Sequence, residues 1–209
     1  MKKEERVSFY SHFAGFILAL LGLILLIYRA LNDPGRIVVA AVYGVSVVFL
    51  FLASSLYHAF KKEEEERSIW RKLDHFAIFV MIAGSYTPVA YLYLDGWLRW
   101  TIISIQWGLV IGGFFLKFLY FKTSRILYTV IYILMGWVGV FALHRLFIAM
   151  PFSLFVLMFA GGLSFTAGAV FYLVKKPNKN PAFGFHEIFH FFILAGGLFH
   201  YLMVFFALG

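Results

Sequence analysis

An all-α bundle of seven transmembrane helices is the fold this sequence predicts, on three observations. Hydrophobic residues fill 63% of the 209 positions and charged ones only 13%, with a mean hydropathy of +0.88, so there is too little polar surface to cover a soluble globule. The apolar runs reach or approach the ~20 residues that cross hydrocarbon as a helix, whereas an outer-membrane barrel would show short segments of alternating polarity. Basic residues gather in alternate connections, as the loops on one side of a multi-pass protein do.

The first run, Phe9 to Leu31, follows Met1-Lys2-Lys3-Glu4-Glu5-Arg6. It is too long for a signal-peptide core and lacks a small-residue cleavage site, which predicts a retained first helix. Asn32-Asp33-Pro34-Gly35 ends it, because proline has no amide donor and Asn, Asp and Gly favour turns. The second run, Ile37 to Phe60, gives way to Lys61-Lys62 and to Glu63-Glu64-Glu65-Glu66, read as a solvated loop. The third, Leu73 to Leu94, contains Thr87-Pro88, where the proline removes a backbone bond and predicts a kink. Trp97 to Phe118, Ile126 to Leu143 and Phe152 to Val174 follow. Lys175-Lys176-Pro177-Asn178-Lys179-Asn180-Pro181 then separates the seventh run, Phe185 to Leu208. Trp70, Trp97 and Trp100 fall where an interfacial aromatic belt belongs. Small residues at helix-packing spacing, Gly108 with Gly112, Ser164 with Gly168, and Ala195-Gly196-Gly197, predict close helix contacts within the monomer. All connections are short, so residues 1–209 read as a single membrane domain.

Orientation follows from the 18 Lys and Arg residues. Lys2, Lys3 and Arg6, then Lys61, Lys62, Arg67, Arg71 and Lys72, then Lys117, Lys122 and Arg125, then Lys175, Lys176 and Lys179 fall on one side, leaving Arg29, Arg36, Arg99 and Arg145 on the other. The positive-inside rule puts the N-terminus in the cytoplasm and the C-terminus outside, in the cell membrane. Because these cations lie at the ends of apolar runs and form no single patch, no nucleic-acid partner is expected. Cysteine is absent, so any metal must be held by His, Asp or Glu.

Ionisable residues inside a span are costly and mark function. Ser54 and His58 stand four apart near the end of the second run, Asp74 lies in the first turn of the third, and His186 and His190 stand four apart in the first turns of the seventh. The charge-derived topology places all of them in the cytoplasmic leaflet at similar depth. Residues four apart share a helix face one turn apart, and three neutral imidazoles suit Zn²⁺ with a fourth position open to water. Asp74 would bind the metal, orient the water or take its proton, and Ser54 would hydrogen-bond a water or a substrate carbonyl. The bland alternative is that each histidine is an interfacial residue with its ring tip among headgroups. His186-Glu187-Ile188-Phe189-His190 also fits H-E-x-x-H, in which the glutamate is a general base, but Glu187 is rotated ~100° from His186 and is better read as an interfacial carboxylate close to the loop lysines. His12 lies at the right depth for a supporting role, His200 is too deep to reach the same ion but can line a cavity, and His75 and His144 are read as outside the site.

Ser54-Ser55-Leu56-Tyr57-His58, Leu73-Asp74-His75-Phe76 leading to Gly84-Ser85-Tyr86-Thr87-Pro88, and His186-Glu187-Ile188-Phe189-His190 ending in His200 together resemble the S-x-x-x-H, Asp and H-x-x-x-H signatures of the hemolysin III family. That family is the bacterial branch of the progestin and adiponectin receptor superfamily and is similar in site design to alkaline ceramidases. Glu5 and Ser11-His12 match its N-terminal pattern, while Ser8 stands where the family often has Asn. The resemblance implies zinc on His58, His186 and His190 with Asp74 and Ser54 beside it, and a role in membrane lipid homeostasis. Three functions are then open: a zinc-dependent hydrolase of a lipid amide or ester, a non-catalytic lipid sensor or receptor with structural zinc, and a lytic pore. The pore ranks last, since the spans hold few polar residues away from the cytoplasmic cluster.

Overall fold

The computed structural model describes residues 1–63, 66, 68–119, 124–180 and 183–209, with the side chains of 179 and 180 set aside. Arg67 and Lys122 among the topology signals, Glu64 and Glu65 of the acidic run, and the turn residue Pro181 lie outside the described residues. Seven helical segments are long and apolar enough to cross a membrane. They are α1 (Arg6–Ala30), preceded by a 3-10 turn (Lys3–Glu5); α2 (Pro34–Phe60); α3 (Ile69–Tyr93); α4 (Gly96–Phe118); a fifth span built from α5 (Arg125–Trp137) and α6 (Leu143–Ala149); α7 (Phe152–Val174); and α8 (Phe185–Ala207).

Local chemistry sets where these helices begin. The Asp33 carboxylate accepts from the amides of Gly35 and Arg36, with Pro34 in the first helical turn of α2. Ser68 accepts from the Arg71 amide and starts α3 four residues earlier than hydropathy alone places it. The Glu66 carboxylate accepts from the Lys62 amide and the Ser68 hydroxyl, so this end of the acidic run organises its loop. α1 packs along α2 and α8, α2 along α3, α3 along α4, and α7 along α8. The apolar core follows these seams, from Leu26, Tyr43 and Phe51 to Met203 and Val204.

Small residues deepen the seams, though not always the expected ones. Ser164 donates to the Phe192 carbonyl, and a Cβ on Gly168 would come 2.8 Å from Phe192, as the spacing predicts for α7 against α8. Gly108 and Gly112 are a correction, because a Cβ on either meets open space. The packed glycine of α4 is Gly113, where a Cβ would press to 2.7 Å on the Phe79 ring. A four-residue spacing puts two glycines on one face without saying which face turns inward.

The fifth span also departs from the expected helix over Ile126 to Leu143. α5 stops at Trp137, a 3-10 stretch runs over Val138–Ala142, and α6 continues to Ala149. Backbone groups freed at such a break are costly in lipid unless another group meets them. Tyr86 meets two of them, its hydroxyl donating to the Gly136 carbonyl at 2.6 Å and accepting from the Gly139 amide at 2.7 Å. Gln106, fully buried, donates to the Met135 carbonyl at 3.0 Å. α3, by contrast, runs unbroken through Pro88, and Thr87 donates to the Ala83 carbonyl.

Replacing Tyr86 with Phe strands both the Gly136 carbonyl and the Gly139 amide, at about 1–3 kcal/mol for each group left unmet. Thermal unfolding in detergent is expected to show a clear loss of stability for Tyr86→Phe; an unchanged midpoint would mean that water meets these groups.

Candidate metal centre

α2 ends two residues beyond His58, α3 begins five before Asp74, and α8 opens one residue before His186, so the helix ends that carry these side chains meet at one end of the bundle. His58, His186 and His190 each offer a ring nitrogen, and these nitrogens lie within 4.8 Å of one another. Nε2 of His58 and Nε2 of His186 are 3.4 Å apart. The ring centroids of His58 and His190 are 4.8 Å apart, and those of His186 and His190 are 4.6 Å apart. His58 is wholly buried and His190 nearly so.

The arrangement is chemically demanding without a cation. Glu5 Oε2 lies 2.6 Å from Nδ1 of His58, and a carboxylate there accepts a hydrogen bond from Nδ1–H, which keeps the proton on Nδ1 and leaves Nε2 with a free lone pair aimed at its neighbours. Lone pairs converging in a buried space call for a positive centre, and the three imidazoles can hold a metal ion.

Around these rings sits a layer of polar contacts drawn largely from α1. Glu5 Oε1 also accepts from Lys61 at 2.7 Å. His12 stacks on His190, centroids 3.7 Å apart and planes 19° from parallel, and its Nδ1 shares a hydrogen bond of 2.8 Å with the Ser54 hydroxyl. The wholly buried Ser8 donates to Glu187 Oε1 at 2.9 Å, while Glu187 Oε2 accepts from the Gly184 amide at 2.8 Å. Glu187 thus reaches back over the first turn of α8 as an N-terminal capping carboxylate does, and both its oxygens are engaged. Asp74 is not in the group of mutually close ligand atoms; it lines the same cavity, near enough to Ser54 and His58 to interact with both.

That cavity has a volume of about 750 Å³. One end holds the imidazoles, and the interior runs between α3, α5, α7 and α8 past Ile78, Ile82 and Leu163 to Leu146 and Met203. His200 lines it at depth and its Nε2 bonds the Met158 carbonyl. His75 is tied up with Lys117.

Comparison with known proteins follows the same outline. A family profile described as "Haemolysin-III related" matches residues 1–201. The chain belongs to this family. It is 36% identical over 206 residues to Hemolysin-3 of Bacillus cereus, covering 98% of this chain and 91% of that protein. It is 25% identical to the human Monocyte to macrophage differentiation factor, covering 96% of this chain and 83% of that one. It is 30% identical over 158 residues to the Heptahelical transmembrane protein ADIPOR2 of Oryza sativa subsp. japonica, covering 65% of this chain and 66% of that one. The haemolysin III relatives and the more distant receptor-like ones extend the sequence resemblance to the wider progestin and adiponectin receptor group, and with seven spans the chain is a multi-pass protein of the cell membrane.

Sequence reasoning gave Glu5 no role beyond a pattern match and counted Lys61 only as a topology signal. Both sit among other charges at a helix end, where a carboxylate that will be buried looks like one that will be solvated. Replacing Glu5 with Gln is expected to weaken metal affinity by about 10–100-fold, measured by competition with a chelator. An affinity equal to wild type would show that His58 does not need this carboxylate.

Proposed function

We propose that this chain is a zinc-dependent hydrolase that cleaves an amide or ester bond of a membrane lipid and serves membrane lipid homeostasis. The observation that carries the reading is that three converging imidazoles open onto one end of a long, largely apolar cavity. A metal without lipid access would not need the cavity, and an acyl chamber without the metal would lack a reacting centre.

His58, His186 and His190 are the ligands. The 3.4 Å between two of their nitrogens matches the edge of a tetrahedron with Zn–N distances of ~2.0–2.1 Å, which is about 3.4 Å. When bound, zinc supplies Lewis acidity that polarises a carbonyl and makes water acidic near neutral pH. Asp74, beside the imidazoles and outside the ligand set, takes the proton of the attacking water and returns it to the leaving amine or alcohol, so that one water and one lipid yield a fatty acid and the freed headgroup portion. Ser54, oriented by His12, hydrogen-bonds the carbonyl oxygen. His12 also braces His190 by stacking, and Glu187, tied to Ser8 and Gly184, supports the first turn of α8. The acyl chain lies in the interior past Ile78, Ile82 and Leu163.

The connections at this end of the bundle carry fourteen of the 18 Lys and Arg residues by sequence, and by the positive-inside rule this end faces the cytoplasm, with the N-terminus inside and the C-terminus outside. A lipid sensor with structural zinc is the second reading. It is favoured by the way His58 of α2 and the two α8 histidines join helices that α1 otherwise holds together. A structural site is normally closed by a fourth protein ligand, and Asp74 stands outside the group. A lytic pore fits least, since the cavity wall is largely apolar away from the imidazoles.

Purified protein is expected to carry one zinc per chain, and the His186→Ala, His190→Ala double variant none; metal retained in that variant would reject the ligand assignment. Asp74→Asn should keep its zinc while losing at least about 100-fold in fatty-acid release from a total lipid extract. Release at the wild-type rate would exclude the hydrolytic mechanism.

A further inference from the structure

The proposed hydrolase reading says nothing of what lies on the other side of the scissile bond, and the wall of the cavity mouth does. Arg125, in the first turn of α5, lines the cavity with its guanidinium carbon 4.6 Å from the Tyr172 ring centroid and 5.8 Å from that of Phe185. Tyr172 is in turn 5.9 Å from the ring of His186, so this cation stands one aromatic ring away from the imidazole cluster. Among the described residues, no carboxylate lies within ion-pair distance of Arg125. Its contacts are with the faces of the Tyr172 and Phe185 rings, and a guanidinium carries five donors.

Besides Lys61, which is paired with Glu5, two more cations line the same cavity from other helices. Arg71 comes from α3, with Nη1 donating to the Glu66 carbonyl, and Lys175 from the end of α7. Arg71 lies in the first turn of α3, Arg125 in the first turn of α5 and Lys175 directly after α7, and all three line the one cavity. Acidic groups line the cavity too: Glu5 is held by His58 and Lys61, Glu187 by Ser8 and Gly184, Asp74 stands beside Ser54 and His58, and Glu4 is exposed. Cations brought together from α3, α5 and α7 beside an aromatic wall favour an anion with several oxygens. Arginine forks match phosphate geometry where a single lysine offers only a point charge.

We infer that the lipid taken by this cavity carries a phosphate, held at the mouth by Arg125 with Arg71 and Lys175, and that a neutral lipid such as a ceramide or an acylglycerol is the poorer ligand. The inference rests on the proposed lipid site but concerns binding, so it is separable from turnover. The three-carbon spacer of a glycerophospholipid lets the phosphate rest at Arg125 while the acyl linkage lies by the imidazoles and the chain enters the apolar interior.

The test uses the full chain in nanodiscs of neutral lipid and a matched pair of fluorescent probes, a lysophosphatidic acid and the monoacylglycerol with the same acyl chain. Wild type is expected to bind the phosphate-bearing probe about tenfold more tightly, the effect of one charge-assisted contact. Arg125→Ala should remove most of the preference while metal content stays at the wild-type value, and Arg125→Lys should keep more of it than Arg125→Ala does. Lys62→Ala, an exposed cation at the same end but outside the cavity, should keep all of it. Equal affinities in wild type, or a preference lost as readily in Lys62→Ala, would overturn the inference in favour of general surface charge. Displacement of the probe by millimolar inorganic phosphate would overturn the assignment to a lipid. Hydrolysis of both probes without preference would reject this inference alone, and preferential binding without hydrolysis would reject the enzymatic reading alone.

Discussion

The contact between Glu5 and His58 is the constraint around which the polar end of this molecule is arranged. It joins the start of the first helix to the end of the second through a short hydrogen bond, and in doing so fixes which nitrogen of a wholly buried imidazole carries a lone pair. Lys61 completes the carboxylate's valence on the other side. Without that carboxylate the His58 ring could take either tautomer, and its convergence with His186 and His190 would be geometric without being chemically directed.

The same economy governs the rest of the bundle, because a low-dielectric surround leaves no polar group free to find water. α1 turns most of its apolar length outward, with Leu18, Ile24 and Tyr28 well exposed, and contributes Ser8 and His12 to one end, where the 3-10 turn before it supplies Glu5. The interrupted fifth span is held by a tyrosine from α3 and a glutamine from α4. That interruption borders the cavity, where Gly136, Trp137 and Gly139 line the wall.

Much of this was legible in the residue order, for definite reasons. Hydropathy reports the free energy of leaving water, so seven long apolar runs mark seven spans. Histidine in such a run is expensive enough to stand out, and a four-residue spacing fixes a shared face, which made His58, His186 and His190 readable as a group. What hydropathy cannot register is a backbone break between equally apolar segments, hence the missed 3-10 stretch after Trp137. Nor does a spacing rule say which way a face points, hence the misassigned Gly108 and Gly112. Ser8 looked like a departure from the family pattern, yet its hydroxyl reaches Glu187 across 179 positions of sequence, and no local signal announces a bond of that separation.

That separation has a consequence for biosynthesis. α1 is made well before α8, yet Glu187 finds Ser8, and His190 finds His12, only when the two lie side by side. Throughout translation the early polar side chains must wait, uncompensated or hydrated at the interface, for partners not yet threaded through the membrane. The polar surround of the imidazole cluster is therefore incomplete in any chain that lacks α8, and its completion coincides with the docking of α8 on α1.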